Sequence, residues 1–115
     1  MSTDKLRVIT DFEKLSVELQ EQIKLVYPKG FSKHLIRFKN KNNETVSALP
    51  FETFEKIYLV RMSTEKAEQI VEKDSDFDDD GMLKDDVKEK YEDDHSDVDY
   101  LSENENYDDA YDDEE

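Results

Sequence analysis

The chain has 115 residues, no cysteine and a formal charge of −16, and 42% of its residues are charged. That length leaves room for one small domain, and the lack of cysteine excludes disulfide staples, thiolate zinc sites and cysteine nucleophiles. The charge is lopsided: Asp74 to Glu115 holds 21 acidic residues against 3 lysines, a formal −18, whereas residues 1–73 come to +2.

Leu6 to Thr10 is short and β-branched, which predicts a strand that turns at Asp11. Leu15, Leu19, Ile23 and Val26 then recur at helical steps with Glu18, Glu21 and Gln22 between them, predicting a helix over Val17 to Tyr27. Ser16 suits its N-cap, and Pro28 with Gly30 ends it. Lys33 to Phe38 reads as a second strand, Asn40 to Asn43 as a hairpin turn that tolerates positive φ, and Thr45 to Phe51 as the returning strand. Pro50 cannot donate to a ladder, so this strand ends there or lies at an edge. Ile57 to Met62 is the most apolar run and is expected to be central, while Ser63 or Thr64 caps a helix over Glu65 to Lys73.

These elements predict an α+β head over residues 1–73 in the order β-α-β-β-β-α, with a small antiparallel sheet and two helices on one of its faces. For residues 74–115 the composition predicts a largely disordered acidic tail, because scattered apolar residues such as Phe77, Leu83 and Val98 cannot offset ordering entropy and charge repulsion. Leu83, Val87 and Tyr91 are four apart, which allows a weak helix over Lys84 to Tyr91, and no structure is expected beyond Asp93.

Met1 to Thr10 shows no long apolar h-region or small-residue cleavage site, and nowhere do about 18 apolar residues run together. A cytoplasmic protein, monomeric when alone and without a membrane partner, is expected. Phosphates would repel the tail, so its natural partner is a basic protein surface.

Arg7-Val-Ile-Thr-Asp11, a helix ending in Val-Tyr-Pro-Lys-Gly30, then Leu35 to Asn40 and Ile57 to Arg61, with a helix and an Asp-rich tail after them, resemble a set of small acidic-tailed bacterial proteins. Some of those carry the label DNA primase, and no established activity comes with the resemblance. A primase needs a metal-binding acidic constellation and a nucleotide site on a much larger scaffold. In architecture alone, a small head with a long acidic tail is similar to the delta subunit of bacterial RNA polymerase. That similarity implies a transcription-associated interaction protein and carries no residues over.

Asp76 to Val87 matches a calcium loop in part: Asp76, Asp78 and Asp80 stand at loop positions 1, 3 and 5, Gly81 at 6 and Leu83 at 8. Val87 occupies position 12, where a bidentate Glu is expected, so the stretch is either a weak calcium or magnesium site or an Asp-rich run matching by composition. No other cofactor is expected. A second stretch, Gln22 to Asn43, has no acidic residue and gathers Lys24, Lys29, Lys33, Arg37, Lys39 and Lys41 around Phe31 and Phe38. It reads either as a weak single-stranded nucleic-acid surface or as a lysine-protected strand edge over core phenylalanines. His34 and His95 are expected at the surface, and Phe51 and Phe54 beside Tyr58 in the core; none of these makes a catalytic set.

Tyr91, Tyr100, Tyr107 and Tyr111 punctuate the acidic tail, a composition that suits either a segment engaging basic grooves or a solubilising extension. The function expected is therefore non-catalytic: the tail mimics nucleic acid and engages a basic surface of a larger machine, RNA polymerase first. Lys29, Lys33, Arg37, Lys39, Lys41, Tyr100, Tyr107 and Tyr111 are the candidate contacts. A cation-binding protein using residues 76–87 is the alternative.

Overall fold

The computed structural model describes residues 5–98, 100 and 101. Four strands and three α-helices make an α+β fold: β1 (Leu6–Asp11), α1 (Val17–Val26), β2 (Ile36–Lys39), β3 (Thr45–Glu52), β4 (Lys56–Arg61), α2 (Thr64–Lys73) and α3 (Asp85–Asp94). Single 3-10 turns, Phe12–Lys14 and Ser32–His34, precede α1 and β2.

The sheet order is β1-β4-β3-β2, so β4 is central, as its apolar sequence predicts. β2, β3 and β4 form the expected antiparallel meander, but β1 runs parallel to β4, with Val8 opposite Tyr58 and Thr10 opposite Val60. The expected all-antiparallel sheet is thus corrected to a mixed one. The connection from β1 through α1 carries the chain to the far edge, and the meander returns β4 alongside β1 in the same direction.

Local signals act where they stand. The Ser16 and Ser63 hydroxyls accept from the amides of Leu19 and Lys66, capping α1 and α2. The β2–β3 turn places Asn43 at φ 65°, and the Asn40 side-chain oxygen accepts from the amides of Asn42 and Glu44. β2 begins later than its composition suggests, because Phe31 is drawn into the core against Phe12, Tyr27 and Phe77 and the chain must turn over Ser32–His34 before it extends. Pro50 sits inside β3, paired with Leu59 of β4, but the pairing with β2 reaches only to Ile36 opposite Ala48, so among the described residues no strand lies on its other side. The Tyr27 hydroxyl donates to the Pro50 carbonyl at 2.6 Å in that gap.

The core lies between one sheet face and the helices, and joins Leu49, Phe51, Val60 and Met62 to Ile23, Tyr27, Ala67 and Val71. Phe77 and Leu83 belong to the same cluster, with Val87, Tyr100 and Leu101 packed against it. The ordered fold therefore continues past Lys73, where the sequence reading ends the head. The apolar residues of this stretch are few but each reaches the core. The remainder of the expected disordered tail, including Tyr107 and Tyr111, lies outside the described residues.

Candidate functional site

The acidic stretch leaves α2 as a tight hairpin. Phe77 and Leu83 form an antiparallel bridge, and the Asp78 amide donates to the Met82 carbonyl at 2.8 Å. The Asp78 carboxylate accepts from the amides of Asp80 and Met82, closing the turn from inside, and Gly81 follows at φ 79°, a conformation glycine adopts without strain. The Leu83 amide donates to the Pro28 carbonyl at 2.7 Å, which fastens the hairpin to the loop after α1.

One lysine holds this arrangement electrostatically. Lys24, almost fully buried on α1, places Nζ 2.6 Å from Asp74 and 2.8 Å from Asp76. The Tyr91 hydroxyl of α3 donates to the same Asp76 oxygen at 2.7 Å. Burial opposes ionisation of Asp76, but the hydrogen bonds from Lys24 and Tyr91 outweigh it and hold the carboxyl below its ordinary 3.8. Burial likewise opposes the charged form of Lys24, and its two carboxylate partners reverse that and raise it above 10.5. Tyr91 is pushed well up, first by burial and then by its hydrogen bond to an anion.

A second polar contact fastens the end of α3. His95 is buried, with Nε2 3.0 Å from a Glu21 carboxylate oxygen and Nδ1 3.4 Å from the Gln22 amide nitrogen. The surface position expected for His95 is corrected: α3 packs on α1 and encloses the ring. The Tyr100 hydroxyl donates to Gln22 at 2.7 Å, and its ring meets Phe51 and Phe54 edge-on. Tyr100, a candidate partner contact, is thus placed as a strap over the end of the sheet. Phe54 itself is 62% exposed and lies outside the core expected for it.

The candidate metal ligands are not brought together. Asp76 faces Lys24 and Tyr91, Asp78 closes its own turn, and Asp80 is exposed; among the described residues no group of three or more His, Cys, Asp or Glu is placed to hold a metal ion. The positive charge at the first loop position is the Lys24 ammonium.

Beside the hairpin lies a cleft of about 580 Å³ between Lys29–Ser32, α2 and the Asp78–Gly81 turn. Phe31, Phe77, Ala67 and Val71 give it an apolar lining, and Glu68, Glu72, Asp78, Asp79 and Asp80 give it carboxylates. Such a cleft accepts a long cationic side chain, apolar along its stem and positive at its head. Asp85, Asp86, Glu89, Glu92 and Asp93 on α3 are exposed as well.

The basic stretch is divided by the fold. Lys24 is consumed inside, Lys29 borders the acidic cleft, Lys33 sits in the 3-10 turn, and Arg37, Lys39 and Lys41 lie on β2 and its hairpin. These last border the sheet face opposite the core. Among the described residues no helix lines that face, and Ile9, Phe38, Val46, Ile57 and Leu59 line a groove of about 610 Å³ along it.

Sequence reasoning missed both the cleft and the groove. For the groove a signal existed: in β4 both alternating sets are apolar, Ile57 and Leu59 as well as Tyr58 and Val60, while two predicted helices cover one face only. For the cleft there was none, since its carboxylates come from α2 and from a turn whose position is set by distant partners, Lys24, Pro28 and the core around Phe77. Comparison of the chain with protein families, with curated proteins and with solved structures finds no match.

Proposed function

We propose that this is a non-catalytic interaction protein that engages a basic protein surface through its acidic side, in the manner of a nucleic-acid mimic. The observation that supports the reading most is the acidic cleft, whose carboxylates stand on α2 and the Asp78–Gly81 turn beside an apolar lining. A preorganised array loses less entropy on binding than a freely jointed polyanion, and its field steers encounter with a cationic partner. Lys24 with Asp74, Asp76 and Tyr91, and His95 with Glu21, face inward and tie α1 to the hairpin and to α3.

RNA polymerase, with its basic nucleic-acid channel, is the first partner to test, on architectural similarity. Among the described residues no helix is long and apolar enough to cross a membrane. Co-elution of the purified full chain with bacterial RNA polymerase at physiological salt is expected, weakened at least tenfold by Asp79→Lys with Asp80→Lys. Failure of the full chain to bind the polymerase or any strongly basic protein would overturn the reading.

A further inference from the structure

The groove on the open sheet face has an apolar floor and a one-signed rim. Arg7, Arg37, Lys39, Lys41 and Arg61 are all among its lining residues, and no carboxylate is. Arg61 pairs with Asp11, but Arg7, Arg37, Lys39 and Lys41 make no ion pair with a described residue. On β2 Arg37 and Lys39 alternate with Ile36 and Phe38, so the cations on the floor's own side are Arg7, Lys41 and the paired Arg61; with Ile9 exposed and Phe38, Val46 and Ile57 half-buried, such a face fits an occupant that is acidic and carries large apolar side chains.

We propose that the occupant is the chain's own segment 102–115, seated across this groove. Its composition is the complement of the site: 8 acidic residues, no basic one, and two rings, Tyr107 and Tyr111. The starting point is also right. Tyr100 packs on Phe51 and on Phe54 in the β3–β4 turn, so the chain leaves the described fold at the end of the sheet that the groove adjoins. Fourteen residues reach up to about 50 Å when extended, roughly twice the length of an eight-residue strand. Attachment to the same chain raises the effective concentration to the millimolar range, so weak complementarity suffices.

Single-stranded nucleic acid is less well matched. Its bases stack on aromatic platforms, whereas Phe38 is the one ring among the groove's lining residues and the rest of the floor is aliphatic. A tail resident on the head would leave when a more basic surface draws it away, which couples the groove to partner engagement. The proposal does not depend on that partner, and its test contains none.

The chain has no cysteine, so Ala110→Cys gives a single attachment point for a nitroxide label on the full-length protein. At low salt the label is expected to remove at least half the amide signal intensity of Ile9, Phe38 and Val46. Arg7→Glu with Lys41→Glu, both exposed positions, or about 0.5 M salt should restore it, the Debye length then being well under 8 Å. Broadening on α1 to α3 instead, or none anywhere, overturns the proposal. So does equal broadening when isotope-labelled chain without nitroxide is mixed with unlabelled chain carrying it, which would mean that a second copy fills the groove. Shifts of these residues on adding oligothymidylate, with no broadening from the tail, would assign the face to nucleic acid and overturn it as well.

Discussion

The two faces of the sheet are made from alternate residues of the same strands, and they have opposite fates. On one, Leu49, Phe51 and Val60 are sealed by α1, α2 and the acidic hairpin. On the other, Ile9 stays 49% exposed and Phe38, Val46 and Ile57 are only half-buried. The acidic third of the chain makes the difference, because it contributes Phe77 and Leu83 to the first face and its described residues add nothing to the second. Net charge alone does not decide whether a segment folds: a few well-placed apolar groups and one buried cation are enough to fix a stretch that is otherwise repulsive.

The strongest way to break this comparison is to remove the acidic segment's hold on the covered face. Phe77→Ala empties a site that is 5% exposed and packed edge-on against Phe31, and it is expected to cost about 3–5 kcal/mol in urea unfolding. A cost under about 1 kcal/mol, the range of a surface change, would show that the hairpin rests on the head without being part of its core.

Next comes the cation under the hairpin. Lys24→Met keeps the stem but leaves Asp74 and Asp76 facing a neutral side chain. The expected cost at neutral pH is about 3 kcal/mol, the low end for breaking a buried pair. Both carboxylates keep about a fifth of their side-chain surface in water, which is why the low end applies. The effect has a definite pH window. The Asp76 carboxyl is depressed in the fold, so its contribution is present above about 3.8 and lost as pH falls through the lower folded value. Lys24 is raised in the fold, so its contribution is complete below about 10.5 and lost as pH rises through the higher folded value. The stability difference between wild type and variant should therefore be flat across the neutral range and shrink at both extremes. A difference that grew towards acid would contradict the assignment.

How legible this was in the sequence depends on the range of the interaction. The steps from Leu15 to Val26, the Ser16 and Ser63 caps and the Asn40–Asn43 turn are local, and each is found where the residues place it. Strand direction is not a local property: nothing in Leu6 to Asp11 says whether it pairs parallel or antiparallel, and only the return of the meander sets it beside β4. The fate of the acidic stretch was hidden for the same reason. Its anchors are partners far away in the chain, Lys24 for Asp76, Pro28 for Leu83, and Glu21 and Gln22 for His95. Averaging charge over residues 74–115 erased the positions that matter. The calcium-like spacing of Asp76, Asp78 and Asp80 was likewise a local pattern whose meaning depended on where Lys24 would lie.

A smaller effect tests the strap at the sheet's end. Tyr100→Phe keeps the ring against Phe51 and Phe54 but removes the donor to buried Gln22, leaving that amide oxygen without its 2.7 Å partner. An unsatisfied buried acceptor costs about 1–3 kcal/mol, and the low end is expected because Tyr100 is only partly buried and water can approach. Unchanged stability would show that the strap is held by ring packing alone.

The smallest effect is expected on the open face, and it measures how open that face is. Ile9 stands on the edge strand β1, opposite Leu59 of β4, and about half of it is already in water. Ile9→Ser therefore removes only part of the burial a core isoleucine would lose, and it trades a strong strand former for a weaker one on an edge, where such preferences count least. A loss of about 0.5–1 kcal/mol follows from those two terms together, several times smaller than for Phe77→Ala. If residues 102–115 rest on the groove through long-range charge attraction, they add little to this figure at moderate salt, since such contacts are screened within about 8 Å. Repeating the measurement at low salt separates the two contributions. An increase in the Ile9→Ser cost as salt is lowered would indicate that the side chain gains an apolar neighbour when the rim's field is unscreened. A cost above about 2 kcal/mol at every salt concentration would instead put Ile9 in the range of buried positions and end the contrast between the two faces.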